Sequence, residues 1–418
     1  MELTDEDKEY YLQQTKTILS DILLCILIFL AGLFIIVGVG LLFRSLRLVF
    51  GSKVKPSAKK AIVITGATSG IGLAVAKRLY RKGFSVFATY YNSEEPGYAG
   101  LREMVTKQSA NDEADPNVPK LFLIYMDVRS ELSIDVAANE IERLIGRSQL
   151  ELYSVVCNAG VCNDCAFEIN RLENMHMIVQ TNLLGTVMVA KRFNSQIIKS
   201  KGRIVVVSTL GCHCIMPGSP VYTASKAAIE SFSDCLNEDL KRYGASCRCV
   251  CPGNLLNKSN IIVTIANSFN DSLERLSPKE RELYKDAIED YSRVINKQLK
   301  SRMVHMKENP KLTEDMYVVD IPEVNNDSEI TRKTAIRDWL FSFIEGSERG
   351  LQKNTNVDES RALTAFDYAV CSKDPPRRCY CGNRFFQYIS GPFVCEYIPN
   401  ILLPVLYWLN KDRLQGKI

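Results

Sequence analysis

The sequence has little excess charge of either sign and few histidines. Its 418 residues carry a net charge of +4 and no basic patch with interleaved aromatic side chains, which argues against a nucleic-acid-binding protein. Three histidines are present, and we interpret His176 and His305 as core or surface residues rather than metal ligands. Internal repeats and low-complexity tracts are also missing, and a chain of this length can bury a large core.

Cysteines are numerous, but their spacing is not that of a zinc site, which usually combines two well-spaced pairs. The chain has fourteen cysteines. The closely spaced ones are Cys162 and Cys165, Cys212 and Cys214 around His213, Cys379 and Cys381, and the alternating Cys247, Cys249 and Cys251. Because the alternating set fits one face of a strand, we predict buried free thiols and no metal.

One long apolar segment lies near the N-terminus. Residues 1–21 are polar and acidic, residues 22–43 carry no charge, and residues 44–60 form a basic linker. An uncharged run of that length crosses a bilayer as a helix, whereas a secretory signal would have a basic start and a shorter apolar run. Positive charge after the segment predicts a single-pass protein with its main domain in the cytoplasm. A buried core helix is the alternative.

Strand and helix signals alternate from residue 61 to about residue 255. Strands are predicted at 61–64, 85–89, 121–126, 153–157, 203–208 and 246–251, and helices at 73–81, 132–145, 175–200, 219–243 and 273–300. Nearly continuous apolar strands are covered on both faces. The pattern therefore predicts an α/β fold, a doubly wound parallel sheet of the Rossmann type, over residues 61–300.

The C-terminal part is less regular. Residues 301–350 read as a polar surface insertion, and residues 351–418 as a helical C-terminal extension. Within the extension, residues 385–409 are apolar but are interrupted by three prolines. We predict a membrane-apposed segment or the lip of a substrate pocket there, rather than a second membrane span.

A glycine-rich turn follows the first strand. It carries Gly66, Gly70 and Gly72, and a helix pattern begins directly after it. Glycines let the backbone approach a pyrophosphate, and a helix start offers N–H groups and partial positive charge. The strand–turn–helix context predicts a dinucleotide site.

The candidate catalytic pair is Tyr222 and Lys226. Residues four apart share a helix face, so the ammonium should lie beside the phenol and lower its pKa toward working pH. Tyr222 would then exchange a proton with an alcohol or ketone. An ordinary solvated helix pair is the alternative, and it is opposed by the glycine turn and by two further motifs. These motifs are Asn158-Ala159-Gly160 after strand four and Pro252-Gly253 after strand six.

Three polar residues complete the candidate catalytic set. Thr209, thirteen residues before Tyr222, and its neighbour Ser208 offer hydroxyls that could hold the substrate oxygen. Asn182 lies within a predicted helix, where its side chain could hold a water in a proton relay.

These motifs, in this order and spacing, resemble the short-chain dehydrogenase/reductase family over roughly residues 58–260. The resemblance implies dinucleotide binding by the glycine turn, an adenine contact at Asp127 and Val128, and support of the central strand by the Asn-Ala-Gly turn. The implied cofactor residues are Thr65, Gly66, Ser69, Gly70, Ile71, Gly72, Asp127, Val128, Asn158, Ala159 and Gly160, with Tyr222, Lys226, Pro252 and Gly253. Asn182, Tyr222 and Lys226 match the catalytic set, and Thr209 stands where the family usually has serine.

A narrower resemblance is to the branch of retinol, hydroxysteroid and 3-hydroxybutyrate dehydrogenases. It rests on residues 83–97 (GFSVFATYYNSEEPG), 231–234 and 376–382. With a membrane anchor and an apolar tail, it implies a steroid or retinoid alcohol as substrate. A 3-hydroxybutyrate-type dehydrogenase, or a weakly active membrane scaffold, is the alternative. The expected location is the endoplasmic reticulum membrane, or else a mitochondrial membrane, and the family resemblance suggests a homodimer.

The choice of cofactor follows from the end of strand two. An acid there would bind the ribose 2′-hydroxyl and select NAD, whereas an arginine would favour NADP. Tyr90 occupies the position, so neither rule applies, but no basic residue lies in the glycine turn. We therefore expect NAD, with NADP as the alternative.

Overall fold

The computed structural model describes residues 53–108, 115, 117–212, 218–253, 261–308 and 359–380, with a few isolated positions before residue 53. The chain divides into two units, Met1–Gly51 and Ser52–Ile418, and the sheet lies in the second. Within the described ranges no helix combines the length and apolar character that crossing a bilayer requires. The predicted membrane helix at 22–43, most of the insertion at 301–350 and the apolar segment at 385–409 lie outside these ranges.

One parallel sheet organises the described part of the chain. Its strands are β1 (Lys60–Ile64), β2 (Ser85–Tyr90), β3 (Leu121–Tyr125), β4 (Glu151–Cys157), β5 (Arg203–Val207), β6 (Ser246–Cys251) and β7 (Arg378–Tyr380). Their order is β3-β2-β1-β4-β5-β6-β7, and each neighbouring pair is parallel. The predicted parallel α/β sheet is confirmed, because all six predicted strands form and a seventh is added.

Helices cover both faces of the sheet. The helices that the structure describes are α1 (Gly70–Arg81), α2 (Pro96–Thr106), α3 (Glu131–Arg147), α4 (Leu172–Ile178), α5 (Thr186–Lys199), α6 (Pro220–Lys241), α7 (Ile261–Glu274), α8 (Pro278–Leu283), α9 (Lys285–Glu308) and α10 (Glu359–Cys371). Leu79 of α1 and Phe366 of α10 belong to one apolar cluster against the sheet, and Ile141 of α3 and Phe193 of α5 belong to another. The two clusters each bury one face of the strands, as in a doubly wound fold.

The strand order reverses between β1 and β4. At such a switch point the crevice outside the carboxyl ends of the strands is the usual ligand site of an open α/β sheet. The glycine turn follows β1 and the Asn-Ala-Gly turn follows β4, so the fold places both predicted motifs at this point.

Two predicted helices differ from the structure. The stretch at 273–300 is not one helix, because α7 ends at Glu274 and α8 begins after Ser277. Ser277 Oγ accepts a hydrogen bond from the N–H of Glu280, whose carboxylate accepts one from Ser277 N–H in return. This capping box, with Pro278 at the first helical position, starts a new helix. The predicted helix at 175–200 contains a π-helical segment, Val179–Gly185, between α4 and α5.

The C-terminal extension contributes α10 and β7 to the fold. Buried Arg203 of β5 donates to the carbonyl oxygens of Ala369 and Ser372 at 2.9 and 2.7 Å. Asp367 of α10 lies 2.6 Å from both Arg78 of α1 and Lys82, the residue after α1. Residues 359–380 are therefore bound to the sheet and to α1 through charged and backbone groups.

Candidate active site

The turn after β1 approaches the turn after β4 so closely that only glycine fits. Gly66 has a φ of +61°, and a Cβ there would lie 3.0 Å from Cα of Ala159. A Cβ on Gly72 would lie 2.1 Å from the carbonyl oxygen of Gly66 and 2.5 Å from Nδ2 of Asn158. The surface of this turn is therefore made of backbone, as close approach to a phosphate requires.

Hydrogen bonds join the two turns. Oγ1 of Thr65 accepts from the backbone N–H groups of Asn158 and Ala159 at 3.0 and 2.9 Å. Nδ2 of Asn158 donates to the carbonyl oxygens of Thr65 and Gly66 at 3.0 and 3.1 Å. The structure thus brings together four of the residues that the sequence assigns to the cofactor site.

Helix α1 begins beside the two joined turns, and its N-terminus is not covered by a capping side chain. Ser69 is its N-cap but makes no capping bond through its side chain, and the first turn of the helix contains no acidic residue. Gly70 has a φ of +50°, and no atom lies within 4 Å of the place a Cβ would take. An open helix N-terminus of this kind attracts anions. The stretch from Ser69 through Ile71 to Gly72 therefore fits the pyrophosphate of a dinucleotide.

Tyrosines lie at the ends of β2 and β3. The ring centroid of Tyr90 lies 4.7 Å from that of Tyr98 and 5.8 Å from that of Tyr125. Burial and a hydrogen bond to Tyr98 raise the pKa of Tyr90. Tyr90, a predicted cofactor residue, is accordingly a neutral aromatic surface at this edge.

The carboxylate of Asp127 is engaged by an arginine. Nε and Nη2 of Arg129 donate to its two oxygens, each at 2.9 Å, and the guanidinium lies 4.7 Å from the ring centroid of Tyr91. Burial acts to raise the pKa of Asp127, but the hydrogen bonds and charge of Arg129 outweigh it and the pKa is lowered. Val128 is buried against Gly185. An adenine contact at Asp127 and Val128 stays a prediction.

Helix α6 presents Tyr222 and Lys226 on one face beside the turn after β4. Nζ of Lys226 lies 5.8 Å from the ring centroid of Tyr222 and donates to the carbonyl oxygen of Val207 at 2.9 Å. A Cβ on Gly160 would lie 3.3 Å from Nζ of Lys226 and 3.2 Å from Oδ1 of Asn182. The predicted tyrosine, lysine and asparagine therefore meet around the Asn-Ala-Gly turn.

The expected lowering of the tyrosine pKa is wrong for this structure. Burial raises the pKa of Tyr222, and the thiols of Cys162 and Cys212 act in the same direction. Burial also lowers the pKa of Lys226. Removal from water opposes the charged form of both groups, and the lysine ammonium is turned to the carbonyl of Val207. Desolvation thus outweighs the attraction that the helix spacing suggested.

The two candidate hydroxyls after β5 have different surroundings. Ser208 is 3% exposed, and its Oγ lies 2.8 Å from Oε1 of Glu230 and 3.1 Å from the carbonyl oxygen of Lys226. Oγ1 of half-buried Thr209 accepts from the N–H of Gly211 at 3.2 Å. Ser208 is a poor candidate for holding a substrate oxygen because its hydroxyl is bound inside the protein, and Thr209 remains.

Asn182 is used differently from the water relay that the sequence suggested for its side chain. Oδ1 accepts from the N–H of Val161 at 2.8 Å, and Nδ2 donates to the carbonyl oxygen of Val161 at 2.9 Å. Nδ2 also lies 3.2 Å from Oγ of Ser225. The side chain therefore ties the π-helical segment to the loop after Gly160 and to α6.

The turn after β6 is joined to the turn after β5. The carbonyl oxygen of buried Pro252 accepts from the N–H of Leu210 at 2.8 Å. Gly253 follows at the last described position before residue 261. A cofactor contact at Pro252 and Gly253 stays a prediction.

Sequence reasoning missed Asp164, whose side chain is fully buried. Its Oδ2 accepts from the N–H of Tyr222 at 2.7 Å, and its Oδ1 accepts from Nδ2 of Asn170 at 2.5 Å. Burial raises the pKa of Asp164, and the N–H groups that it binds, including that of Val221, act against the rise. Since the N-cap Ser219 makes no side-chain capping bond, Asp164 caps α6 from a distant loop. A lone aspartate in a loop carries no sequence signal for this role.

One group of possible metal ligands occurs among the residues that the structure describes. Buried Glu230, Cys249 and Cys251 lie together, with 3.8 Å between the two sulfurs. Glu230 also faces Nη1 of Arg378 at 3.4 Å and the hydroxyl of Ser208. A carboxylate that is already opposite a guanidinium is a poor ligand for a cation.

Comparison with known proteins agrees with the fold and the motifs. A sequence profile described as short chain dehydrogenase matches residues 60–261. The chain is 29% identical to mitochondrial D-beta-hydroxybutyrate dehydrogenase of Mus musculus, over 56% of this chain and 67% of that protein. It is 30% identical to human 17-beta-hydroxysteroid dehydrogenase type 2, over 49% of this chain and 50% of that protein. It is 29% identical to estradiol 17-beta-dehydrogenase 2 of Rattus norvegicus, over 79% of this chain and 69% of that protein.

The nucleotide turn, the tyrosine–lysine pair and these matches define an oxidoreductase of CH–OH groups that uses a nicotinamide cofactor. Residues 60–261 of the chain match the short-chain dehydrogenase family. The predicted resemblance to the branch of hydroxysteroid and 3-hydroxybutyrate dehydrogenases is confirmed. The chain spans between half and about two thirds of the length of the mouse and human relatives.

Proposed function

We propose that this chain is a membrane-anchored dehydrogenase that interconverts a lipophilic alcohol and its ketone or aldehyde, of the steroid or retinoid class, with NAD as the preferred cofactor. One observation carries the proposal. The ring of Tyr222 packs against an apolar cluster formed by the loop after β4 and by helices α7 and α9. The proposed catalytic tyrosine thus lies at the edge of an apolar region, which suits an apolar substrate.

The cluster beside Tyr222 is built of apolar side chains, including two cysteines. Its buried members are Cys162, Cys165, Ile169, Ile262, Val263, Ile265, Ala266, Phe269, Ile295 and Leu299. A substrate such as 3-hydroxybutyrate would present a carboxylate, which needs a cation or several donors when it leaves water. The apolar character of this cluster favours a sterol or retinoid over a short hydroxy acid, although a hydroxybutyrate dehydrogenase is among the relatives.

The geometry supports the following proposed roles. The nicotinamide, when bound, supplies or takes up the hydride. Tyr222 gives its proton to the carbonyl oxygen in reduction and accepts the alcohol proton in oxidation. Thr209 holds the same oxygen through its hydroxyl. Lys226 is held by the carbonyl of Val207 with its Nζ 5.8 Å from the ring centroid of Tyr222, so its charge lies near the phenolate that is left when Tyr222 has given up its proton in reduction.

The membrane anchor at 22–43 is part of the proposal. It rests on the uncharged 22-residue run and on the basic residues after it. We propose that the catalytic domain faces the cytoplasm at the endoplasmic reticulum. The name of the mouse relative makes a mitochondrial membrane the alternative. Carbonate extraction and protease protection of the full chain in microsomes test the anchor and its orientation.

A substrate panel tests the activity. The full chain is incubated with sterols, retinoids and 3-hydroxybutyrate, each with NAD and with NADP, and turnover is followed by nicotinamide absorbance. We expect turnover of an apolar alcohol, and a loss of about 10²–10⁴-fold in kcat for Tyr222→Phe with nucleotide affinity retained. Tyr243→Phe, at an exposed tyrosine just after α6, is the control and should change neither.

Two results would contradict the proposal. Full turnover in Tyr222→Phe would remove the assigned proton donor. Tight nucleotide binding without turnover of any alcohol would favour a cofactor-binding membrane scaffold instead. A homodimer stays a prediction that size-exclusion chromatography with light scattering can test.

A further inference from the structure

An acidic side chain lies against the glycine turn although the end of β2 has none. Glu95 occupies the N-cap position of α2, and its carboxylate accepts a hydrogen bond from the hydroxyl of Thr68, which lies inside the glycine turn. Thr68 is fully buried, so it holds the carboxylate at a fixed place. The acid is thus five residues beyond Tyr90, the position at which the sequence rule looks for it.

Close packing fixes the segment that carries Glu95. The N–H of Gly97 donates to the carbonyl oxygen of Thr68 at 3.1 Å. A Cβ on Gly97 would lie 2.4 Å from that oxygen and 2.4 Å from Cδ2 of Leu73. The start of α2 is therefore seated on the glycine turn, and Glu95 has little freedom to move away from it.

The carboxylate of Glu95 lies where the adenosine ribose of a bound dinucleotide is expected. In a dinucleotide-binding sheet the adenosine ribose lies between the glycine turn and the end of the second strand, and an acid there binds the 2′-hydroxyl. A carboxylate offers about four acceptor sites, so the bond from Thr68 leaves capacity for a ribose hydroxyl. The same charge repels a 2′-phosphate.

Cations near this edge offer little to offset that repulsion. Arg129 is engaged by both oxygens of Asp127. Arg102 is exposed on α2 and lies close enough to Tyr90 to act on its pKa. Arg102 is therefore the group that could favour NADP, and the experiment has to separate it from Glu95.

We propose that Glu95, held by Thr68, selects NAD over NADP by accepting the ribose 2′-hydroxyl and repelling a 2′-phosphate. The inference rests on the proposed function, since it assumes that the glycine turn binds a dinucleotide. It assigns the selectivity to a residue of α2 rather than to the end of β2.

Direct titration of the full chain with NADH and with NADPH measures the selectivity without turnover. The dissociation constants come from calorimetry or from nicotinamide fluorescence. We expect NADH to have the smaller dissociation constant. Glu95→Gln should bring the dissociation constants of NADH and NADPH about tenfold closer, because it removes a like charge opposite the 2′-phosphate. Glutamine can still accept from Thr68, so the thermal midpoint should stay unchanged.

Two matched variants identify the group responsible. Glu94→Gln removes the same charge from the adjacent, exposed position and should leave the ratio unchanged. Arg102→Gln should also leave it unchanged. A preference for NADPH that Arg102→Gln abolishes, or a ratio that follows Glu94 rather than Glu95, would overturn the inference.

The outcomes also separate this inference from the proposed function. If neither nucleotide binds the unaltered chain, the dehydrogenase assignment fails. If both bind and Glu95→Gln leaves their ratio unchanged, the dinucleotide site stands and only the role of Glu95 is lost.

Discussion

The two sides of the crevice are held together by opposite means. On the nucleotide side, the turn after β1 is fixed by backbone atoms in close approach, where Gly72 has no room for a side chain. On the catalytic side, α6 is fixed by buried charges, with Asp164 at its N-terminus and Glu230 two turns beyond Tyr222. The glycine turn should therefore be disrupted when a side chain is added, and the position of α6 should be disrupted when a buried charge is removed.

Glu230 links the catalytic helix to the C-terminal extension. Its carboxylate lies 2.8 Å from Oγ of Ser208 and 3.4 Å from Nη1 of Arg378 in β7. Arg378 also pairs with Asp234, one turn further along α6, at 2.7 Å. The last described strand of the chain therefore supplies the cation that faces a buried acid beside the site.

Removal of that cation should have the largest effect on stability. Arg378→Met keeps the apolar stem but leaves the Glu230 carboxylate without its guanidinium, which we expect to lower the free energy of unfolding by about 3–5 kcal/mol. Arg377→Met is a matched control, because Arg377 is 57% exposed and pairs with exposed Glu238. Exposed pairs contribute little. Urea unfolding of both variants measures the difference.

Equal losses of unfolding free energy in Arg378→Met and Arg377→Met would contradict the claim that buried charges fix the catalytic side. So would an undiminished unfolding free energy in Arg378→Met. Nucleotide affinity should change little in either variant, because Arg378 and the glycine turn lie at different strands of the sheet.

Loss of Asp164, which caps α6 from a distant loop, should have the second largest effect on stability. Asp164→Ala leaves the N–H groups of Tyr222 and Val221 without their acceptor, which should cost about 2–3 kcal/mol of stability, since buried donors are expensive to leave unsatisfied. Because the cap positions Tyr222 itself, kcat should fall while the dissociation constant for NADH stays unchanged. Steady-state kinetics and urea unfolding measure the two effects.

Two variants decide whether Asp164 acts through its oxygens. Asp164→Asn keeps one acceptor oxygen and should recover part of both losses. Asp239→Ala, at an exposed position near the other end of α6, should change neither. A fall in NADH affinity equal to the fall in kcat would mean a general loss of structure instead of a misplaced tyrosine.

The same contrast explains which parts could be predicted from the sequence. Glycine is needed where the backbone has no room for a side chain or takes a positive φ, so Gly66, Gly70 and Gly72 revealed the turn directly. The pair Tyr222 and Lys226 was visible because four residues make one helical turn. The strands were visible because buried parallel strands are almost continuously apolar.

What could not be predicted depends on residues that are distant in the chain. Nothing near Asp164 shows that its partner is the N–H of Tyr222, 58 residues away. Nothing near Arg378 shows that it faces Glu230. The pKa of Tyr222 was predicted in the wrong direction because helix spacing reveals the neighbouring charge but not the loss of water around both groups.

Steric crowding of the glycine turn should have a smaller effect than loss of a buried charge. Gly72→Ala places a methyl group against the carbonyl oxygen of Gly66, which we expect to cost about 1–3 kcal/mol and to weaken nucleotide binding. Gly146→Ala is the control. Gly146 is exposed in α3 with open space around it, so alanine there should stabilise the helix by about 0.5–1 kcal/mol. A tolerated Gly72→Ala would remove the distinction between the two sides.

The last difference between the two sides concerns pH, which should change turnover on the catalytic side but not nucleotide affinity on the other side. The glycine turn from Thr65 to Gly72 contains no group that titrates near neutral pH, so NADH affinity should be level between about pH 6 and pH 9. Oxidation needs Tyr222 as a base, and burial raises its pKa. Below that pKa the fraction of phenolate, and with it the rate of alcohol oxidation, should rise about tenfold per pH unit.

Carbonyl reduction should be level over the same range, because a raised pKa keeps Tyr222 protonated and able to donate. The thiols that face it stay neutral there, since burial raises the pKa of Cys162 to about 12 and that of Cys212 to about 11. Nicotinamide absorbance measures the rates of alcohol oxidation and carbonyl reduction, so the titration of Tyr222 gives one pH profile for each reaction. A level oxidation profile would mean that Lys226 lowers the phenol pKa after all. The electrostatic attraction on the catalytic side would then outweigh the loss of water that its burial imposes.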